Sequence, residues 1–343
     1  MTMYVGCDAH KRYSIFATVT EKGFSGPPVR VEHSRGLFRS YLDTLRPGTA
    51  IAVETTGSWY WMVDEMEKAG HNPVLAHAGK AKLMMGQINK TDQLDARGLA
   101  VLLRNGTLPE VWIPPGELRD QRELPRTRMA MVRMRTMLKN RIHATLAKYA
   151  IQIHGVSDIF GVSGRKELSK CLGELPPQTR LSVEAELTLL DQVEAQIEVS
   201  EKQIREVVAE TPAIKRLMSM PGVGPILAVV IAMEIGDVGR FAGPDRLASY
   251  AGTVPRVHSS GGKTFHGRVR SDINRYLKWA FVEAANVVTL QQGRWGDRHV
   301  VKLYQRIRDR KGHAKAVGAV ARHLAEAAYW MLKKDEEYRE PKA

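Results

Sequence analysis

Hydrophobic positions in roughly the first 110 residues follow strand and helix periods in turn. Met3–Cys7 is a short apolar run that ends in Asp8. Tyr13–Thr20 has strand composition, Gly23–Pro28 reads as a turn, and Val29–His33 reads as a third strand. Leu37, Tyr41, Leu42 and Leu45 have helical spacing within Gly36–Leu45. Thr49–Glu54 is a β-rich run that again ends in an acid, Ser58–Ala69 is a helix closed by Gly70, and Pro73–His77 is a fifth strand. Helix resumes at about Asp92. Three strands, helix, strand, helix, strand, helix is the order expected of an RNase H-like core, although pattern alone also admits another α/β fold.

Pro114-Pro115-Gly116 marks a boundary, beyond which the pattern is helical. Met131, Met134, Leu138, Ile142 and Leu146 form an amphipathic stripe. Val183, Leu190, Ile197 and Ile204 recur at heptad spacing, with Val193 and Val207 in a second series that Glu186 and Ser200 interrupt. This short, imperfect coiled coil is expected to pack on another helix, in the same chain or in a second protomer. After Pro212, Pro221-Gly222-Val223-Gly224-Pro225 opens an apolar helix over Ile226–Ile235. A Gly- and Ser-rich loop, His258–Lys263, precedes basic and aromatic helices, and the tail Lys333–Ala343 is expected to fray. The expected organisation is an α/β domain over 1–112, a basic and coiled-coil region over 113–210, a mostly helical C-terminal domain over 211–335, and a tail over 336–343.

Charge changes this picture more than composition does. Hydrophobic residues make up 43% of the chain and charged residues 26%, the mixture of a soluble protein with packed cores. No apolar run approaches the ~20 residues of a membrane span. The N-terminus reads as a strand rather than a signal peptide. Cys7 and Cys171 match no zinc spacing, so a reducing, cytoplasmic setting with no membrane is expected. Lys and Arg exceed Asp and Glu by 51 to 37, a net charge of +14. Such an excess favours a polyanionic partner, because Lys and Arg displace counterions from phosphates. Residues 125–150 hold seven basic residues and no acid: Arg126, Arg128, Arg133, Arg135, Lys139, Arg141 and Lys148. Residues 256–343 hold 19 basic and 9 acidic residues, whereas 181–210 hold eight acids against Lys202 and Arg205.

Four acids are the first candidate chemistry. Asp8 and Glu54 end strands that are adjacent in an RNase H-like sheet, and Asp92 and Asp95 share a helix face. Converging carboxylates repel unless cations lie between them, so Asp8, Glu54, Asp92 and Asp95 are expected to hold one or two Mg²⁺ ions. Two such ions ~4 Å apart stabilise the attacking and leaving oxygens of phosphoryl transfer. The glycines of Pro221–Pro225, Gly222 and Gly224, could expose backbone N–H groups to phosphate, or simply make a tight interhelical turn. Ser260 precedes two glycines and is followed by Lys263, His266, Arg268 and Arg270. Its hydroxyl is a weak nucleophile that needs a base or metal, and no Ser-His-Asp spacing is present. A polar surface turn is the other reading.

Taken in order, these features resemble the insertion-sequence transposases that carry a DEDD-type RuvC-like domain, the bridge-RNA-guided recombinases. The matching segments are Gly6-Cys7-Asp8-Ala9-His10-Lys11, Ala52-Val53-Glu54-Thr55-Thr56-Gly57 and Lys90-Thr91-Asp92-Gln93-Leu94-Asp95-Ala96. Pro221–Pro225, Pro255 and Ser259-Ser260-Gly261-Gly262-Lys263 match in the C-terminal part. The resemblance implies site-specific recombination that moves a mobile element, with Mg²⁺ on the four acids. It implies that Ser260, with Ser259 as its neighbour, attacks a DNA phosphate and forms a phosphoserine intermediate. It also implies donor and target double-stranded DNA, a structured guide RNA, and dimers or tetramers whose active sites combine the two domains from different protomers, with the coiled coil aiding assembly. Two other readings stand beside it: a metal-dependent structure-specific nuclease resembling Holliday-junction resolvases, and a non-catalytic nucleic-acid-binding protein.

Overall fold

The computed structural model describes residues 2–86 and 91–341, except the side chains of 208–210 and 266. Lys90 of the third motif and residues 342–343 of the tail lie outside the described residues. The chain divides into two compact units, Met1–Gly116 and Glu117–Ala343. The first is mixed α/β and the second mostly helical.

In the first unit, strands β1 (Met3–Ala9), β2 (Tyr13–Thr20) and β3 (Val29–Glu32) form an antiparallel meander. Helix α1 (Arg35–Leu42) leads to β4 (Ala50–Glu54), α2 (Trp59–Lys68) to β5 (Asn72–Ala76), and β4 and β5 add parallel to β1. Helices α3 (Ala78–Met85) and α4 (Asp92–Arg104) follow, then a two-residue strand β6 (Glu110–Val111) antiparallel to β5. The strand order is β3-β2-β1-β4-β5-β6. Pattern reading finds β1 to β5 and misses α3 and β6, one a helix of weak amphipathicity and the other too short to show alternation.

Side chains alternate across β1. Val5, Cys7 and Ala9 enter the core with Phe16, Phe38, Leu42, Met62 and Met66. Burial pushes the Cys7 thiol up to about 12, so it stays a neutral core group. On the other side lies Gly6, where a Cβ would stand 2.0 Å from the Ala96 carbonyl oxygen and 2.7 Å from the Ala100 nitrogen. The missing side chain is what lets α4 rest directly on the strand.

The second unit opens with α5 (Gly116–Lys148) and continues through α6 (Val162–Cys171) and α7 (Pro177–Glu210). Short α8 (Pro212–Leu217), α9 (Pro225–Ile235) and α10 (Pro244–Tyr250) precede a hairpin of β7 (Pro255–Ser260) and β8 (Lys263–Val269). Helices α11 (Arg275–Leu290), α12 (Gln292–Trp295), α13 (His299–Lys311) and α14 (His313–Lys334) complete it. Its main core sits around α9, α11 and α14, where Ala280, Ala284, Ala321, Ala325 and Ala328 are fully buried. Small side chains at these helix contacts allow close backbones. No helix among the described residues is long and apolar enough to cross a membrane.

The heptad stripe is filled from within the chain. Val183, Leu190, Ile197 and Ile204 are all at most 4% exposed. Val183 and Leu190 share a core with Leu138, Ile142 and Leu146 of α5. Arg128–Glu201, Lys139–Glu194 and Arg141–Glu186 pairs, at 3.0, 3.2 and 2.8 Å, flank the seam and fix an antiparallel arrangement. Of the two packings expected, the first half of the stripe takes the one within the chain, against α5, and Glu186, an interruption of the heptad, is the partner of Arg141.

The tail departs from expectation too. Tyr338 is 9% exposed and its N–H donates to Ser219 Oγ at 2.9 Å, while Arg298 pairs with Glu340 at 2.6 Å. An aromatic anchor and an ion pair thus hold the described residues of this segment, as far as Glu340, to the helical unit.

Truncating Leu190, fully buried at the α5–α7 seam, to alanine is expected to cost about 2–4 kcal/mol of stability. Thermal unfolding reads that loss. Sedimentation should show the oligomeric state unchanged; a smaller assembly would return the stripe to a protomer contact.

Candidate metal centre and serine hairpin

Asp8, on the α4 side of β1, is 9% exposed. His10 follows two residues later on the tight turn into β2, where its N–H donates to the Tyr13 carbonyl at 2.9 Å. Thr91, not Asp92, caps α4: its hydroxyl accepts from the Leu94 N–H at 3.3 Å. The Asp92 carboxylate is thereby left to face the strand, and Tyr13 OH donates to its Oδ2 at 3.0 Å. One ligand atom from each of Asp8, His10 and Asp92 lies within 4.8 Å of the other two.

Glu54 ends β4 one step beyond the paired residues Cys7 and Val53, which sets it beside Asp8 on the neighbouring strand. Asp95 lies one turn along α4 from Asp92. Neither belongs to the compact group of three. Asp95 is nonetheless close enough to act on Asp8, whose pKa is raised above its ordinary value. Desolvation is the largest cause, repulsion from Asp95 and Asp92 adds to it, and His10 opposes it. A carboxyl held in this way favours a nearby cation.

The donor set fits a divalent ion on a further ground. His10 Nε2 is shielded from solvent and makes no hydrogen bond among the described residues, although it lies 3.1 Å from Asp8 Oδ2 and 3.0 Å from Asp92 Oδ2. A nitrogen lone pair and two carboxylate oxygens meeting without hydrogen-bond geometry are suited to a metal ion. His10 was in the first motif but not among the predicted ligands. The signal was available: Asp8-Ala9-His10 puts both side chains on one side of a strand.

The predicted serine loop is a hairpin. Gly261 and Gly262 adopt φ of +56° and +72°, the pair of positive angles that a type I′ two-residue turn demands. Ser260 pairs with Lys263 and Ser259 with Thr264, so the two serines lie on opposite faces. Ser260 shares its face with His258, Lys263 and Phe265. All of β7 is exposed, as are Lys263 and Arg268, whereas Arg270 is paired with Asp272 at 2.7 Å. A Gly-Gly pair between two β-rich runs was the unread hairpin signal.

The remaining predicted contacts divide. Arg126 makes a two-pronged pair with Glu234, at 2.7 and 2.9 Å, and Glu234 is 1% exposed. Asn274 donates to the same carboxylate at 2.8 Å while its own oxygen caps α11. Arg126, Arg128, Lys139 and Arg141 are each paired with an acid of this chain. Arg133 is exposed and Arg135 half-buried, and neither has an ion pair among the described residues. At Gly222, φ is +77° and a Cβ would meet the Ala284 carbonyl oxygen at 2.2 Å, so this glycine serves packing against α11. Gly224 starts α9 and has open space beside it.

Family comparisons cover both the strand-edge carboxylates of the α/β unit and much of the helical unit. The DEDD transposase model of the IS110 group matches residues 5–151, and that of the IS116/IS110/IS902 transposases matches 214–300. The chain belongs to the DEDD-type transposases of the IS110 family. It is 26% identical over 264 residues to a probable family 20 transposase of Pseudomonas aeruginosa, covering 76% of each chain. It is 27% identical over 252 residues to the transposase of insertion sequence element IS1111A of Coxiella burnetii, covering 73% of this chain and 69% of the relative. A putative transposase of Sinorhizobium fredii is 25% identical over 338 residues, covering 98% of this chain and 85% of the relative.

Two outcomes follow from the geometry. Gly6→Ala puts a methyl group against backbone atoms that cannot rotate away; overpacking of about 1–3 kcal/mol is expected in thermal unfolding, together with loss of metal binding. Asp8→Asn should raise the melting temperature in metal-free buffer at neutral pH, because the raised pKa means that the folded state disfavours the charged carboxylate. That stabilising difference should close as pH falls below the ordinary value of 3.8, where Asp8 is neutral folded and unfolded. An unchanged difference across the pH range would refute the assignment.

Proposed function

We propose that this transposase cuts and rejoins DNA through a covalent phosphoserine intermediate, with Ser260 as nucleophile and with a divalent cation held by the acids around Asp8. The observation that carries the reading is the convergence of Asp8 and Asp92 at the end of an RNase H-like sheet. Strand order β3-β2-β1-β4-β5, with β2 antiparallel and β4 and β5 parallel to β1, supports that fold assignment. All four acids lie in the span matched by the DEDD transposase model, and Ser260 lies in the span matched by the second.

Asp8 and Asp92 would hold the cation, Mg²⁺ on the four-carboxylate reading, with Glu54 and Asp95 completing one or two ion positions. A bound cation supplies Lewis-acid neutralisation of phosphate charge. The Ser260 oxygen forms a bond to phosphorus as the bond from phosphorus to a sugar oxygen breaks, and the proton that the serine hydroxyl gives up is balanced by the one that the departing sugar oxygen takes up. Reversal by a sugar hydroxyl of another strand releases Ser260 and rejoins the DNA. Lys263, opposite Ser260 on the hairpin, would pair with the phosphate, and exposed Arg268, farther along β8, would add to the positive charge of the hairpin. Tyr13 orients the Asp92 carboxylate through its hydroxyl.

Donor and target DNA, and a structured RNA that guides their choice, complete the reading. Support for the polyanion comes from the surplus of basic residues over 256–343 and from exposed Arg133. Support for the RNA is the family membership.

Ser260→Ala is expected to abolish both strand exchange and the covalent protein–DNA adduct seen on denaturing gels, while DNA binding persists. Ser259→Ala should retain the adduct. An adduct that survives Ser260→Ala and disappears with Ser259→Ala moves the nucleophile by one residue. Metal-dependent cutting with free ends, indifferent to both changes, replaces the recombinase with a nuclease that uses the acids alone.

A further inference from the structure

The four-acid description leaves one contact unexplained. His10 Nε2 sits between Asp8 Oδ2 and Asp92 Oδ2, at 3.1 and 3.0 Å, shielded from water and without a hydrogen bond. With the proton on the other ring nitrogen, Nε2 presents a lone pair to the same point as the two oxygens. The ring is held there from two directions. Its backbone closes the β1–β2 turn through the bond to the Tyr13 carbonyl, and its ring centroid lies 4.7 Å from that of Tyr13. Tyr13 in turn donates to Asp92 Oδ2, so one residue steadies both the imidazole and a carboxylate.

We propose that His10 is a direct nitrogen ligand of the cation held by Asp8 and Asp92, so that the site binds Mn²⁺ in preference to Mg²⁺. The inference rests on the proposed cation site and specifies its donors. Mg²⁺ takes oxygen ligands in a near-ideal octahedron and keeps much of its water. An imidazole is a poor replacement for one of those oxygens, whereas a transition-metal ion accepts nitrogen and carboxylate together. Glu54 and Asp95, outside the compact group, remain available to a second ion or to the substrate-bound state.

The test uses the full chain with Mn²⁺ alone, read by electron spin-echo envelope modulation, which detects ligand nitrogen directly. The expected spectrum shows nitrogen coupling at bound Mn²⁺ that changes when the protein is made with ¹⁵N-histidine and disappears in His10→Gln. Calorimetry should show Mn²⁺ affinity falling on the order of tenfold in His10→Gln, with Mg²⁺ affinity changing less than about threefold. Circular dichroism and thermal unfolding establish that the variant is folded, and the isotope result on the unaltered chain stands without it. Bound Mn²⁺ without histidine coupling overturns the inference and leaves the acidic cation site intact. Tighter Mn²⁺ binding by His10→Gln also overturns it, since His10 would then be a competing positive charge. Failure of the unaltered chain to bind either ion removes the cation site itself, and the inference with it.

Discussion

Gly6 carries no side chain, and the space where one would begin is taken by the backbone of α4, 2.0 Å from the Ala96 carbonyl oxygen. The rest of the acidic site depends on that approach. Ala96 and Ala100 form the matching small face of the helix, and both are fully buried. A helix seated this close brings its first turn, with Asp92 and Asp95, beside Asp8 and His10. Thr91 supports the same result from the helix end, since a hydroxyl cap spares the neighbouring carboxylate from capping. The cost of convergence is a desolvated, mutually repelling set of acids. An arrangement with that cost is explained by the ion that it would hold.

Charge is deployed differently in the second unit. Three of the seven basic residues of 125–150, Arg128, Lys139 and Arg141, pair with acids of residues 181–210, a segment that carries eight acids and two bases. Buried Leu190 and Val183 close the seam and the ion pairs border it. Exposed pairs of this kind are worth little individually, and their use is to set register and direction. Arg126 goes further, since its partner Glu234 is almost wholly buried and takes its closest charged contact from this guanidinium, with Arg122 at 3.9 Å and the Asn274 amide completing the surroundings. From residue 256 onward basic residues exceed acids by 19 to 9, so that stretch keeps a surplus of positive charge even with its own acids counted.

These two cases mark where residue patterns suffice and where they stop. Strands β1 to β5 were legible because each alternates or is continuously apolar and is bounded by turn residues. The acids were legible because strand ends and a shared helix face are positions that periodicity fixes. Partner choice is not periodic. Whether Arg128 meets a phosphate or Glu201 depends on which helix lies alongside, 73 residues away. Tyr338 shows the same limit, as a single aromatic in a polar tail has no period, yet it fills a place beside His323 and Ser219. His10 falls between the two cases: its side of the strand could be read, but not the approach of Asp92.

The hairpin shows how a fold can narrow a chemical choice. From sequence, Ser259 and Ser260 are adjacent hydroxyls with equal access to the same glycine turn. Pairing across a type I′ turn makes them unequal, because neighbouring residues on a strand face opposite ways. Ser260 is opposite Lys263, at the separation where cross-strand side chains interact, whereas Ser259 is opposite Thr264. If Ser260 is the nucleophile, as proposed above, a phosphodiester drawn to the Lys263 ammonium would arrive on the face from which that serine would attack, while Ser259 lies on the other face. On the proposed reading, Gly261 and Gly262 matter less for letting DNA come near than for fixing this register, since the two positive φ angles are what place Lys263 across from Ser260.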